Sequence, residues 1–358
     1  MPTKINQAVN EFNQQVKPVS LWADAWKRLR KNKMALIGLW IVGIYAIVSL
    51  LAPILPFIDY AHQEMHFTNM PPSFRPAGDV AITQAQQKVA QLQALVNSGR
   101  DDLKPELEKV TVEYASVQAD IMSNPASKNV YILGTDYLGR DLFARTIYGG
   151  RISMLVGLVG TIFSVLIGVI YGAIAGYIGG RTDNLMMRIV DIMYGLPYMM
   201  IVIILIAMFS KEGQSSTVIL FVAIALVSWL TEARVVRGQI MSLKNAEFVE
   251  AARSMGAGTP RIIFRHLLPN TLGIIVIFAT LGVPGFIMNE SFLSFLGLGV
   301  SAPLASWGTL LSEGVQGMEL FPWRLLVPAI AMTVFLFAMN FLGDGLRDAL
   351  DPQSKNRT

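Results

Sequence analysis

The sequence contains no cysteine and few charged residues for its length. Of the 358 residues, only 15 % are Asp, Glu, Lys or Arg. The absence of cysteine excludes disulfide frameworks, cysteine-ligated zinc and iron–sulfur clusters. A soluble domain carries about 25 % charged residues, so the low charge argues against an ordinary water-soluble enzyme. A disordered chain is excluded as well, because 53 % of the residues are hydrophobic and the mean hydropathy is +0.48.

A Walker A loop is also missing, because no Gly-Lys dipeptide occurs in the chain. The chain therefore cannot bind ATP through such a loop. The apolar runs contain few ionisable groups: Asp191 and Glu232 fall at the ends of runs, and Glu290 follows another. Secondary transporters usually carry acids or discontinuous helices within the membrane, so this scarcity disfavours an ion-coupled carrier.

Six apolar runs predict transmembrane helices. They cover residues 34–57, 152–177, 192–209, 218–230, 272–288 and 325–342. About 20 apolar residues cross a bilayer core as a helix, which satisfies every backbone polar group internally. The fourth run is short, and Pro197 is expected to kink the start of the third. We therefore expect an all-α integral membrane protein with six spans.

The distribution of Lys and Arg predicts that both termini are cytoplasmic. With this orientation the inner segments carry 18 basic residues, whereas the short outer segments carry only Lys211 and Arg324. The long outer loop is discounted, because long loops translocate largely regardless of charge. The short fourth span is needed for the asymmetry, since six basic residues between Arg234 and Arg265 would otherwise lie outside. The first run begins too late for a cleaved signal peptide and predicts an uncleaved anchor.

The spans divide the chain into five parts. These are a cytoplasmic N-terminal segment (1–33), a first span (34–57), an external loop (58–150), a five-helix core (151–346) and a cytoplasmic tail (347–358). Residues 21–33 are basic and contain Trp22 and Trp26, which predicts an interfacial helix on the inner leaflet. Simple anchoring by positive charge explains the same residues.

The external loop contains a predicted helical hairpin over residues 80–123. Residues 80–97 and 103–122 each show helical periodicity and are separated by the polar sequence SGRD. The hairpin is either a docking surface for a partner or a solvated decoration. His62 and His66 nearby are spaced to share a helix face, but Gln63 stands where the zinc-protease pattern requires Glu. No metal site is predicted.

Residues 245–270, between the fourth and fifth spans, predict a helix, a turn and a second helix at the inner membrane surface. Asn245 is a suitable N-cap, and Gly256 suits the left-handed position that ends the first helix. Thr259 is expected to cap a second helix that starts at Pro260, and Pro269 marks its junction with the next span. Small Ala251 and Ala252 would leave a smooth side for another protein, with a charge from Glu250 at its edge.

This segment resembles the EAA loop of ABC importer membrane subunits. The shared residues are Glu250, Ala251, Ala252, Gly256, Leu268 and Pro269, in the family's spacing and between two spans. The family's loop seats in a cleft of the cytoplasmic ATPase, so the resemblance implies that these residues couple ATP hydrolysis to transport. An amphipathic interfacial loop with no partner is the alternative. His266 stands where the family often has Ile, although the peptide-importer branch usually has the sequence His-x-Leu-Pro-Asn.

Further motifs resemble the peptide-importer branch. They are LGTDYLGRD at 133–141, GRIS at 150–153, ESFLSFLGLG at 290–299, SWG at 306–308 and GDGLRDALDP at 343–352. The resemblance as a whole covers most of residues 20–60 and 131–352. Over these residues the chain is similar to the C-type membrane subunits of oligopeptide or dipeptide importers. The insert at about 76–125 departs from the pattern, since common members have a shorter loop.

The resemblance implies a type I ABC importer permease in a bacterial cytoplasmic membrane that carries peptides by alternating access. It implies a homologous B-type permease subunit, two cytoplasmic ATPase subunits that use ATP and Mg²⁺, and an external peptide-binding protein. The chain itself would be non-catalytic and hold no cofactor, and its spans would contact the lipid bilayer. No nucleic-acid partner is expected. A secondary transporter or channel, and a membrane-anchored interaction protein, are the alternatives.

Two features of the spans allow two interpretations each. Glu290, near the outer end of span five, either lines a gate in the transport path or forms a local pair, for instance with an arginine. Small residues recur at every fourth position of span two, at Gly160, Ser164, Gly168, Gly172, Gly176 and Gly180. This stripe favours close helix packing, either within the subunit or against a second membrane subunit.

Overall fold

The computed structural model describes residues 21–55, 58–209 and 217–350, which consist of helices joined by turns. Within these ranges Thr135 and Asp141 form an isolated bridge, and no strand occurs. The all-α prediction is confirmed. Residues 1–20 and 351–358, which hold much of the predicted N-terminal segment and tail, lie outside the described residues.

The helices of the described residues are numbered here in chain order. They are α1 (Leu21–Leu29), α2 (Lys33–Leu51), α3 (Ala77–Asn97), α4 (Lys104–Ser123), α5 (Leu142–Ile178), α6 (Gly180–Tyr194), α7 (Tyr198–Phe209), α8 (Thr217–Ser228), α9 (Leu230–Leu243), α10 (Glu247–Ser254), α11 (Thr259–Ile262), α12 (Leu268–Phe295), α13 (Trp307–Val315) and α14 (Trp323–Leu350). Helices α11 and α12 are joined by a π-helical turn at Ile263–Leu267.

Five helical segments are long and apolar enough to cross a membrane. They are Lys33–Leu51, Leu142–Ile178, Val218–Leu243, Thr259–Phe295 and Trp323–Leu350. A sixth crossing results if the bent pair α6 and α7 forms one broken span. Each of the six predicted runs thus overlaps a helix or a pair of helices, and most of these helices extend beyond the run.

The third run is broken rather than merely kinked. Helix α6 ends at Tyr194, and α7 starts at Tyr198 after a bend of 84°. Pro197 disfavours a helical conformation of the residue before it, which explains why the helix stops here. Residues 192–194 therefore belong to α6, not to the predicted span.

The first and fifth runs also differ from expectation. Helix α2 ends at Leu51, and turns follow at residues 52–55, where Pro53 has no N–H to continue the helical hydrogen bonds. Helix α12 extends beyond the fifth run at both ends, and Pro269 marks its junction with the preceding helix, as the sequence predicts. The π-helical turn carries the chain from α11 into α12, and Pro269 lies in the first turn of α12, where proline is tolerated.

The small-residue stripe of α5 packs against helices of the same chain. A Cβ on Gly172 would collide with the carbonyl oxygen of Ala233, and one on Gly176 would lie 2.7 Å from the carbonyl oxygen of Arg237. Both partners lie on α9. A Cβ on Gly160 would instead meet the ring of Phe286 on α12. The stripe therefore wraps around α5 and serves packing within the subunit.

The two ends of the described chain lie together. Asn32 caps α2 by accepting hydrogen bonds from the N–H groups of Met34 and Ala35. Helix α1 then packs on the last turns of α14, where Ala25, Leu29 and Ala349 share a buried cluster. This places the predicted interfacial helix beside the end of the last span.

The predicted hairpin is formed by α3 and α4, which start and end within three residues of the expected positions. Its base is anchored by a buried cluster that includes Phe67, Val80, Ile121 and Tyr131. The premise of the histidine pattern is wrong, because residues 61–64 are not helical and His62 pairs with Glu64 at 3.0 Å.

Candidate functional site

The predicted coupling loop contains the short helix α10, which ends as the sequence indicates. Gly256 has a φ of +81° and donates its N–H to the carbonyl oxygen of Arg253, while Ala257 donates to Ala252. These two bonds form a Schellman motif, which favours glycine at this left-handed position. The N-cap prediction is wrong by one residue, because Ala246 occupies that position and no side chain caps the helix.

One side of α10 is buried against the spans. Val249 lies in a buried cluster with Ala173 of α5, Ile240 of α9 and Leu267, and Ala252 is buried as well. The expectation that Ala251 and Ala252 share one smooth outer side is therefore wrong. Successive residues of a helix point about 100° apart, so Ala252 faces the core while Ala251 faces outward.

The other side of α10 is open. Glu250 and Ala251 are exposed, and they are joined by the partly exposed ring of Phe248 and by Met255, which is 81 % exposed. Within the described part of the chain no ion pair of Glu250 is found. An acid surrounded by exposed apolar side chains on an anchored helix is suited to docking another protein.

The rest of the loop connects this open side to the membrane. Helix α11 begins at Thr259 after Gly258 at the N-cap, so Thr259 is not the cap that the sequence predicts. Leu268 is half-buried and Pro269 is exposed. Both lie in the first turn of α12, which crosses the membrane. The second helix of the loop therefore continues into a span through the π-helical turn.

Glu290 lies at the centre of a buried polar cluster near the end of α12. Its side chain is 0 % exposed. Oε1 accepts hydrogen bonds from Ser294 and Ser306, both at 2.6 Å, and Oε2 accepts one from Ser153 at 3.2 Å. The backbone N–H of Trp307 donates to Ser153 Oγ at 3.0 Å. The predicted arginine pair is wrong, because serine hydroxyls satisfy the carboxylate and water does not reach it.

This cluster joins three of the motifs that the sequence brings out. Ser153 belongs to α5, Glu290 to α12 and Ser306 to the N-cap of α13. The partial positive charge at the start of α13 also faces the carboxylate. Glu290 thus ties α5, α12 and α13 together, and its predicted gate role stays a prediction.

A buried ionic network lies at the same end of the molecule and was not anticipated from the sequence. Asp136 accepts hydrogen bonds from Arg140 and Arg145, and Arg145 also donates to Glu313 at 2.6 Å. Arg324 of α14 donates to the backbone carbonyl of Glu313 at 2.9 Å. The acids Asp136 and Glu313 balance the charges of Arg140 and Arg145, whereas Arg324 donates to uncharged oxygen atoms of Asn69 and of the Glu313 backbone.

Asp141 caps α5 beside this network and is also buried. It accepts hydrogen bonds from the N–H groups of Phe143 and Ala144. Burial raises the pKa of Asp141 to about 6, although these two hydrogen bonds oppose the increase.

Ion pairs connect α6 to α9 at the opposite end of α5. Arg237 binds Asp183 through both carboxylate oxygens, and Arg234 donates to Asp191 at 2.6 Å. The guanidinium group of Arg234 also lies over the ring of Tyr194, 4.1 Å from its centroid. These contacts fix α6 against the span that leads to α10.

A cavity of about 400 Å³ lies at the break between α6 and α7. Tyr198 contacts Ser228 (O···O 3.0 Å) and accepts a longer hydrogen bond from Asn289 (3.4 Å). Tyr194 and Thr231 contact each other at 2.6 Å on the same wall. The cavity was not predicted from the sequence, because it is formed by residues of five different helices.

The family comparison agrees with this architecture. Residues 142–356 match the family model of the binding-protein-dependent transport system inner membrane component. The chain belongs to this transport family. Residues 20–72 match a second model, the N-terminal transmembrane domain of oligopeptide transport permease C. The two matches cover both parts of the chain on which the sequence motifs lie.

Curated members of the transport family include relatives of nearly the same length. The dipeptide transport system permease protein DppC of Bacillus subtilis is 40 % identical over 98 % of this chain and 92 % of its own. The oligopeptide transport system permease protein OppC of Escherichia coli is 38 % identical over 98 % of each chain. That of Haemophilus influenzae is 53 % identical over 64 % of this chain and 73 % of its own.

Proposed function

We propose that this chain is a membrane-spanning permease subunit of an ATP-driven importer that carries oligopeptides or dipeptides. The proposal is supported by the names of the full-length relatives and by the exposed side of α10. In the importer, two cytoplasmic ATPase subunits use ATP and Mg²⁺, a homologous B-type permease completes the path, and an external protein delivers the peptide. The chain lies in the bacterial inner membrane with both termini in the cytoplasm.

The observation that carries the coupling role is that α10 is buried on one side and exposed on the other. Val249 and Ala252 fix the helix to the spans, while Glu250 and Met255 remain free for a partner. A helix that binds the ATPase with its exposed side and packs on the spans with its other side passes a movement of the ATPase on to the spans. Alternating access follows when that movement reorients the spans around the bound peptide.

Charge reversal at Glu250 tests this role. We expect Glu250→Lys to weaken ATPase binding at least about tenfold, because reversing a charge at a protein interface costs several kcal/mol. The measurement is the ATPase activity that co-purifies with the tagged chain in mild detergent, together with peptide uptake by membrane vesicles. Glu319→Lys makes the same charge change at an exposed position of the predicted outer side and serves as the control.

Each outcome of this test has a definite meaning. ATPase subunits that co-purify with the wild type and with Glu319→Lys, but not with Glu250→Lys, support the energised importer. Full ATPase recovery and wild-type uptake with Glu250→Lys would refute the coupling role. Uptake that follows an ion gradient, with no co-purifying ATPase, would instead identify a secondary transporter.

A further inference from the structure

The cavity at the break between α6 and α7 lies at membrane depth. Gly282 and Gly285 of α12 form part of its wall. Gly282 lies about 20 Å along the helix axis from the end of α12 at Phe295, at a rise of 1.5 Å per residue. Because the bilayer core is about 30 Å thick, this position falls inside it.

The backbone at this depth is irregular and open. Gly195, Leu196 and Pro197 join the two bent helices, and all three are exposed in the chain. Non-helical backbone in the hydrocarbon region is stable only where it is covered by protein or lines a water-filled cavity. The wall that contains Leu196 therefore faces water or protein, not lipid.

The polar groups of the cavity are neutral. Tyr194, Tyr198, Ser228, Thr231 and Asn289 supply hydroxyl and amide groups, and among the described residues no charged side chain lines the cavity. Asn289 donates one N–H to Tyr198, whereas no hydrogen bond of its side-chain carbonyl oxygen is found among the described residues. The amide thus retains an acceptor and a second N–H for a ligand.

A neutral, hydrogen-bonding wall suits a particular ligand chemistry. Peptide main chains present an N–H and a C=O group at every residue, whatever the side chains are. Amide and hydroxyl groups can pair with either, and the absence of charge avoids selection for acidic or basic side chains. The volume falls within the range of about 300–1,000 Å³ that is typical of small-ligand sites.

We propose that this cavity is the part of the substrate path that this chain contributes, and that Tyr198, Ser228 and Asn289 bind the main-chain amides of the passing peptide. The inference rests on the proposed peptide import. It adds a site and a mode of binding, namely recognition of the backbone instead of the side chains.

The absence of native cysteine allows a direct accessibility test. Single cysteines at Asn289 and Ser228 are treated with a cationic, water-soluble methanethiosulfonate in vesicles that contain the complete importer. We expect both to react, and tri-alanine at saturating concentration to slow each reaction at least about threefold. Ile47→Cys, on the exposed apolar face of α2, is the control and should remain unreactive.

Two results would overturn the proposal. Cysteines at 289 and 228 that are as unreactive as the control would show that lipid or a second subunit covers the cavity. Reactive cysteines that tri-alanine does not protect, in vesicles that import tri-alanine, would exclude the peptide from the cavity. A wild-type importer that takes up no peptide with ATP would instead refute the proposed function, and the inference with it.

The mode of binding has its own test. Asn289→Leu should raise the KM for tri-alanine, tri-lysine and tri-glutamate alike by about three- to tenfold, the effect of one lost hydrogen bond. It should also reduce the preference for tri-alanine over its N-methylated analogue. Thr280→Val is the matched control on α12, because the Thr280 hydroxyl bonds only to the carbonyl oxygen of Val276. A KM change confined to one charged peptide would contradict backbone recognition.

Discussion

Replacement of Glu290 tests whether the buried serine cluster stabilises the contacts among α5, α12 and α13. Ser153 accepts the N–H of Trp307, and Ser306 accepts the N–H of Thr309, so both hydroxyl hydrogens are available for the carboxylate. Glu290→Ala therefore leaves hydroxyl groups of α5, α12 and the α13 N-cap without their shared acceptor. Glu290→Gln keeps the volume and one carbonyl oxygen.

The expected cost follows from these contacts. A hydrogen bond to a charged group contributes about 1.5–3 kcal/mol. The three costs do not add fully, because Ser294 can bond to the backbone of its own helix and Ser306 retains Thr309. We expect a loss of about 3–5 kcal/mol for Glu290→Ala, as for other buried polar networks from which one partner is removed. For Glu290→Gln we expect about 1–2 kcal/mol.

Thermal unfolding of the purified chain in detergent measures the effect. At about 2–4 °C per kcal/mol, Glu290→Ala should lower the transition by about 10 °C and Glu290→Gln by about 4 °C. Glu319→Ala, at an exposed acid, should leave it unchanged. If Glu290→Ala unfolds within 2 °C of that control, the cluster does not stabilise the fold. If Glu290→Gln unfolds at a higher temperature than the wild type, the free-energy cost of burying the carboxylate exceeds the stabilisation by its hydrogen bonds.

Two further predictions concern α5. Gly172→Leu should abolish folding or lower the unfolding temperature strongly, since its Cβ would collide with the backbone of Ala233. Gly43→Leu is the control and should be tolerated, because no atom lies near a Cβ at Gly43. Equal unfolding temperatures of the two variants would contradict the close packing at Gly172. Asp141→Asn should gain stability relative to the wild type as pH rises from 4 to 7. Because the pKa of Asp141 is raised in the folded state, ionisation of Asp141 destabilises the fold. The free energy of unfolding of the wild type is therefore greatest below about pH 4 and falls by up to about 3 kcal/mol as the pH rises through 6. Asn at this position caps the helix equally well and does not ionise. A pH-independent difference in the unfolding temperatures would refute this assignment.

Hydropathy predicted the spans because side chains that face lipid must be apolar. Hydropathy does not predict where a helix begins or ends. Helix α5 begins ten residues before the predicted run, because Asp141 caps it and Arg145 finds two acids to pair with. The fourth span continues to Leu243 because Arg237 is paired with Asp183. The Asp141 cap is local, but the pairs of Arg145 with Glu313 and of Arg237 with Asp183 join residues far apart in the sequence, which no local pattern shows.

The helix, turn and second helix of the predicted coupling loop could be predicted from the sequence, because their geometry is local. The left-handed conformation of Gly256 follows from its place at the end of a short helix. The burial of Ala252 could also have been deduced, since neighbouring residues of a helix cannot face the same way. The partners of Glu290 and the role of Glu313 could not, because they depend on how α12, α13 and α5 meet in space.

The contacts connect the coupling helix with the cavity through a short series of packed elements. Val249 of α10 lies in a buried cluster with residues of α5 and α9, and glycine residues of α5 let the backbones of these two spans approach closely. Arg237 then fixes α9 to α6 through Asp183, and α6 ends at the break that forms the cavity wall. Close-packed interiors do not absorb displacement as a liquid would. In the proposed importer, a movement of α10 is therefore passed to the bent pair α6 and α7, where the peptide main chain is bound.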